Sequence, residues 1–291
     1  MDTRSPADPG ERPDGERNEL ENFVAKPAAH FRDAGKGPPV VCLHSSASSS
    51  GQWRSLMDRL FDRFHVIAAD LYGYGESPAW PEDRAMYLDD QITLLEPVFD
   101  AAGESFHLIG HSFGGAIALK AALEYPGRVR SLAVFEPVLF SVLVANDPTS
   151  PAVREILAAR DETIRSVNLG DLDASAKRFT DYWVGPGAWA ATPEARRPAI
   201  AEAMRMVKPE WHAVFSEPTP LAAFTALDVP TLLLTGTEST LSAREISRLL
   251  AGVLPRVSVE EIDGVGHMAP VTHPEKINPL IERFLIQVSA G

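Results

Sequence analysis

The chain has 291 residues, 45% of them hydrophobic, which is enough to bury a large core in one or two domains and too apolar for a fibrous or wholly disordered protein. Its formal net charge of -13 and pI near 5.1 set up a field that repels nucleic acid and anionic membranes, so neither is expected as a partner. A single cysteine, Cys42, rules out an internal disulfide framework, and no Cys/His cluster suggests a metal site.

Residues 1–20 are rich in Pro, Gly, Asp, Glu and Arg and contain no apolar core of a signal peptide, which predicts a disordered tail. No apolar stretch approaches the ~20 residues that span a bilayer, and a soluble, cytoplasmic protein is expected. Glu21 to Asp33 leaves room for one or two irregular strands. Pro39 to Leu43 is a short apolar run ending in His44 and a serine-rich loop, the pattern of a buried strand. Gln52 to Asp62 has helical spacing, with Trp53, Leu56, Met57 and Leu60 on one face. His65 to Ala69 is a second buried strand, followed by the loop Asp70-Leu-Tyr-Gly-Tyr-Gly-Glu-Ser77. That loop is not a phosphate-binding loop, since it opens no helix and its spacing is wrong.

A helix over Met86 to Ala101, a strand over Phe106 to Ile109, a helix over Ser112 to Glu124 and a strand over Ser131 to Phe135 complete the first half. From Val138 to Phe224 the pattern is helical, with the clearest segments at Ala152 to Val167, Asp171 to Trp183 and Pro193 to Val207. Strands then return at Val229 to Thr235 and Val257 to Ile262, each followed by a helix, Ala243 to Val253 and Pro274 to Val288. Strands alternating with helices predict an α/β fold with a mostly parallel central sheet flanked by helices. The functional loops of such a sheet lie beyond the carboxyl ends of its strands.

Gly110-His-Ser-Phe-Gly114 matches G-x-S-x-G between a predicted strand and a predicted helix, and Gly115 follows. The glycines remove Cβ atoms that would crowd a sharp turn, so Ser112 is presented as a nucleophile at the start of a helix. A serine needs a base, and His267, in Asp263-Gly-Val-Gly-His267, follows the last strand and so lies at the same sheet edge. These motifs, with the Asp70-x-x-Gly-x-Gly-x-Ser77 loop and the late helical segment, resemble the α/β-hydrolase fold with a helical cap. The resemblance runs from about residue 30 to 288. It implies a tail over 1–20, a hydrolase core over 21–137 and 225–291, and a cap over 138–224, inserted after the strand that ends near Glu136.

The resemblance further implies an acid partner for His267, most often in the loop after the strand that follows the cap. That position is Ser239 here, with Glu238 one residue early. Some relatives carry the acid after the strand that follows the nucleophile's helix, which is Glu136; a carboxylate directly after four apolar strand residues is costly unless paired, so Glu136 is preferred over Glu238. The backbone N–H groups of Ser46 and Phe113 would form the oxyanion hole, although the loop carries Ser45 where the family commonly has glycine. The expected activity is a serine hydrolase working through an acyl-enzyme on a small carboxylic ester, thioester or lactone. Carbon–carbon bond hydrolysis of aromatic ring-fission products, haloperoxidase-like chemistry and a non-catalytic receptor are the alternatives. Ser112 argues against dehalogenase or epoxide hydrolase chemistry, which uses a carboxylate nucleophile. No cofactor is implied, a small molecule is the expected partner, and the oligomeric state is left open.

Overall fold

The computed structural model describes residues 27–81 and 84–290, so the tail expected over 1–20 and the first part of the early strand segment lie outside the described residues. Seven strands form one sheet: β1 (Phe31–Ala34), β2 (Pro39–Leu43), β3 (His65–Ala69), β4 (Phe106–His111), β5 (Val129–Phe135), β6 (Thr231–Gly236) and β7 (Val257–Ile262). Their order is β1-β3-β2-β4-β5-β6-β7. β1 pairs antiparallel with β3, and every other pairing is parallel. The sheet therefore grows one way from β2 to β3 and the other way from β4 onward. That reversal opens a crevice at the carboxyl ends of β2 and β4.

Alternation along the strands divides the interior into two layers. Val40 and Cys42 of β2 and Val66 and Ala68 of β3 pack on α1 (Arg54–Leu60) through Leu56 and Leu60, and on the C-terminal helix Pro274–Ser289 through Ile277, Ile281 and Leu285. Val41, Leu43, Ile67 and Leu108 face the other way, toward Ile92, Leu95 and Val98 of α2 (Leu88–Ala101) and Ile117 of α3 (Phe113–Glu124). Cys42 is fully buried, and burial pushes its thiol pKa up, so it is a packed strand residue.

Among the described residues five helices lie between β5 and β6: α4 (Phe140–Asn146), α5 (Pro151–Asn168), α6 (Leu172–Trp183), α7 (Ala188–Ala191) and α8 (Arg197–Ser216). The starts of two of them are locally encoded. Ser150 caps α5 by accepting from the Val153 N–H with Pro151 next in line, and Asp171 caps α6 by accepting from the Ala174 N–H. The sequence suggests that the third long helix stops at Val207, before Pro209, but α8 runs through Pro209 to Ser216. Its apolar face, Met204, Val207, Trp211 and Val214, is buried, and that packing outweighs the one backbone bond a proline removes. After β6 come α9 (Leu241–Ala251), α10 (Ala269–Thr272) and α11 (Pro274–Ser289). No helix of the described residues is long and apolar enough to cross a membrane.

Candidate active site

Three residues singled out in the sequence meet at the crevice. The Ser112 Oγ lies 2.9 Å from His267 Nε2, and His267 Nδ1 lies 2.7 Å from Glu136 Oε2. All three side chains are buried. The Nδ1–H donates to the carboxylate, which leaves Nε2 to accept from the serine hydroxyl.

Each is held by a different part of the sheet edge. Ser112 sits in the turn between β4 and α3 with φ 55 and ψ -117, a conformation costly for a residue with a Cβ. The Ser112 N–H donates to the Phe135 carbonyl at 3.0 Å, which holds the turn in that conformation. A methyl group on Gly110 would run into the Gly114 carbonyl, and one on Gly114 into the Leu43 and His44 carbonyls. Both glycines are thus required by close backbone approach. Phe113 begins α3, so its N–H has no carbonyl within the helix to serve and stays at the positive end of the helix dipole.

Glu136 directly follows β5 at φ 43, the left-handed region, which turns its side chain off the line of the strand. Its Oε1 accepts from Thr235 Oγ1 and from the Gly236 N–H, both at 2.8 Å. Burial raises its pKa, but the hydrogen bond and charge of His267 and the Gly236 N–H outweigh it, and the net shift is downward. The Ser239 hydroxyl, at the family's more usual acid position, lies near enough to lower it further without making a regular hydrogen bond. Glu238 is not among these partners; its N–H donates to the Val265 carbonyl.

A buried neutral network joins the loop after β2 to the loop carrying His267. Gln52 Oε1 accepts from the Ser45 N–H and Oγ, its Nε2 donates to His111 Nδ1 at 3.1 Å, and His111 Nε2–H donates to the His267 carbonyl at 2.8 Å. Burial, with the His267 charge, holds the His111 pKa well below the usual imidazole value. His44 is pushed down to about 4, chiefly by burial; it accepts from the Leu71 N–H and donates to the Ser45 carbonyl. Ser45 is not among the non-glycine residues with positive φ, which are Ala47, Ser112 and Glu136, so the loop does not need glycine there. Ser46 and Phe113 both line the cavity at Ser112. The Asp70 loop holds the fold together, because the buried Asp70 carboxylate accepts from the Ser50 and Glu76 N–H groups and bonds His30.

The cavity walls come largely from three of the inserted helices, α4, α6 and α8, and the segment before them. Phe140, Phe179, Trp183, Trp211 and Val214 line it, and the Trp183 ring lies 4.2 Å from the His267 ring. The cavity has a volume of about 20 Å³, room for roughly one or two waters. Two lining or supporting residues escape a reading of the sequence. Gln52 looks like an ordinary polar residue at a helix start. Glu210 shares a helical face with Val207, Trp211 and Val214, and a carboxylate on an apolar face is a signal that ending the helix before Pro209 conceals.

A family model described as alpha/beta hydrolase fold matches residues 38–274. The chain belongs to that family. Several of its relatives in the α/β-hydrolase family are hydrolases. The 2-hydroxymuconate semialdehyde hydrolase of Pseudomonas sp. (strain CF600) is 26% identical over 270 residues, covering 90% of this chain and 92% of that protein. A haloalkane dehalogenase of Agrobacterium fabrum (strain C58) is 36% identical over 114 residues, 39% of this chain and 37% of that protein. The solved structure of a thermophilic esterase from Thermogutta terrifontis superimposes with a TM-score of 0.68 at 25% identity, over 89% of this chain and 93% of that one. This α/β hydrolase is accordingly an enzyme, and the open question is what it cleaves.

Proposed function

We propose that the chain is a serine hydrolase that cleaves a small, uncharged carboxylic ester, thioester or lactone through an acyl-enzyme. The observation that carries the reading is the unbroken relay from Ser112 Oγ to His267 Nε2 and from His267 Nδ1 to Glu136 Oε2, at 2.9 and 2.7 Å. Ser112 Oγ attacks the carbonyl carbon as its proton passes to His267 Nε2. The oxyanion takes hydrogen bonds from the backbone N–H groups of Ser46 and Phe113, and Glu136 holds the imidazolium. His267 then gives its proton to the leaving alcohol or thiol. Water attacks the acyl group, again losing a proton to Nε2, and the acid departs as Ser112 regains its proton. The inserted helices act as a cap, since their aromatic side chains wall the cavity.

The likeness to a 2-hydroxymuconate semialdehyde hydrolase favours a second reading, cleavage of a carbon–carbon bond. A muconate semialdehyde carries a carboxylate group, and a carboxylate substrate needs a cationic partner. The cavity lining contains one carboxyl, Glu210, and no lysine or arginine among the described residues, which supports the ester reading.

A fluorophosphonate probe should label the wild type and leave Ser112→Ala unlabelled; a labelled alanine variant, or an unlabelled wild type, contradicts the assignment. p-Nitrophenyl esters of two to eight carbons should be hydrolysed, fastest at the short end. Inactivity on all of them with the probe still bound would favour the carbon–carbon reading.

A further inference from the structure

Glu210 has no part in the reaction above, yet it lines the same cavity as Ser112 and His267. It is 1% exposed, and both carboxyl oxygens are buried without a hydrogen-bond partner among the described residues. The hydroxyls of Ser46 and Tyr74 lie beside it without regular hydrogen-bond geometry, and the Tyr74 hydroxyl is itself buried and unpartnered. The indole N–H of Trp183, another lining residue, is likewise buried with no partner. Phe140, Phe179 and Val214 add no polar side-chain atom. A buried group left unpaired costs about 1–3 kcal/mol, so a residue serving only to pack α8 would be better apolar. An apolar wall with a few unmet polar groups is the make-up of a ligand pocket.

The state of the carboxyl limits what it can hold. Burial raises the Glu210 pKa to about 8, so at neutral pH it is mostly a carboxylic acid. The Tyr74 phenol faces it and His267 shares the cavity lining, which among the described residues contains no lysine or arginine. A protonated carboxyl sets an O–H donor beside a C=O acceptor. A hydroxyl meets both at once, accepting from the first and donating to the second, and it is small enough for so narrow a cavity.

We propose that Glu210 is the residue that selects the substrate, by hydrogen-bonding a hydroxyl group carried by the small ester or lactone. This rests on the serine hydrolase reading and narrows its substrate class to hydroxylated esters and lactones. Discrimination follows from the orphaned atoms: a deoxy analogue leaves them unpaired, and sites built this way reject such analogues by up to ~10⁴–10⁵-fold.

The test compares kcat/KM within matched pairs: p-nitrophenyl butyrate against its 2-hydroxy and 3-hydroxy forms, and γ-butyrolactone against α-hydroxy-γ-butyrolactone. Wild type, Glu210→Gln and Glu210→Met are assayed, and fluorophosphonate labelling is run in parallel. At least one pair should favour the hydroxylated member by ~30-fold or more in the wild type. Glutamine, which keeps a donor and an acceptor, should retain most of that ratio, and methionine should bring it within ~3-fold of unity. A wild-type ratio near one in every pair, as expected if a bound water satisfies Glu210, overturns the proposal, as does an unchanged preference in Glu210→Met. If the methionine variant does not fold, the wild-type ratios and the near-isosteric glutamine variant still decide. Labelling with no hydroxyl preference refutes the role of Glu210 alone, whereas an unlabelled wild type removes the hydrolase reading beneath it.

Discussion

Glu136 combines three costs that a bare strand end would not bear: full burial, a left-handed backbone and a charge. They are met by Thr235, the Gly236 N–H and His267, which leave the carboxylate with three hydrogen bonds. Glu136→Gln should keep the shape but disturb the tautomer of His267, with kcat falling by ~10⁴-fold, while Glu238→Gln should stay near wild type. Comparable losses in both variants, or loss only at Glu238, would reassign the acid. Glu210 gives a pH signature of the opposite kind from an ordinary ion-paired acid. Its pKa rises from the usual 4.5 to about 8 on folding, so the unfolded chain gives up this proton first. Its contribution to stability is therefore lost as pH climbs from about 4.5 to about 8. Glu210→Gln should match the wild type in stability near pH 4.5 and exceed it at pH 8, by up to about 4 kcal/mol; parallel melting curves across that range would contradict the buried protonated acid. The glutamate at 136 is legible because a charge interrupts an apolar strand run. The same kind of interruption at 210 is hidden by Pro209, which sequence rules treat as a stop although packing carries the helix through it.

The strand-turn-helix element that presents Ser112 depends on contact between backbones. Gly114→Ala would press a methyl group against the carbonyls of Leu43 and His44 at the end of β2, where neither backbone can readily give way. Overpacking of this kind costs about 1–3 kcal/mol, which at roughly 2–4 °C per kcal/mol lowers Tm by about 2–12 °C. A calorimetric or fluorescence melt checks it, and an unchanged Tm would show that the turn has room to spare. The glycine spacing is readable from the motif alone. The Gln52–His111 link between the loop after β2 and the loop of His267 is not, because it joins residues 59 positions apart through polar atoms that resemble any other surface amide in sequence.

Across the whole molecule, the charge of -13 surrounds a site whose lining lacks a lysine or arginine. Anionic esters should be slowed on approach, so kcat/KM for a hemisuccinate ester should rise a few-fold between ~10 and ~200 mM salt, with a neutral ester unmoved. An equal salt response for both would show that encounter is not steered by the net charge. The alternation of strands and helices follows from local periodicity, since each strand and helix declares itself within a few residues, whereas the strand order whose reversal opens the crevice is set by tertiary pairing. Ser112, His267 and Glu136 can nevertheless be named without their distances: each stands in the loop or turn that follows a strand, where a parallel sheet gathers its loops. The wall of the cavity is another matter. Which faces of α4 to α8 turn toward Ser112, and that a carboxyl among them goes unpaired, depend on how helices far apart in sequence pack together, and no local pattern records that. The sequence by itself determined the candidate reacting groups; only the tertiary structure decided what surrounds them, because burial and the lack of a partner are properties of an assembled space.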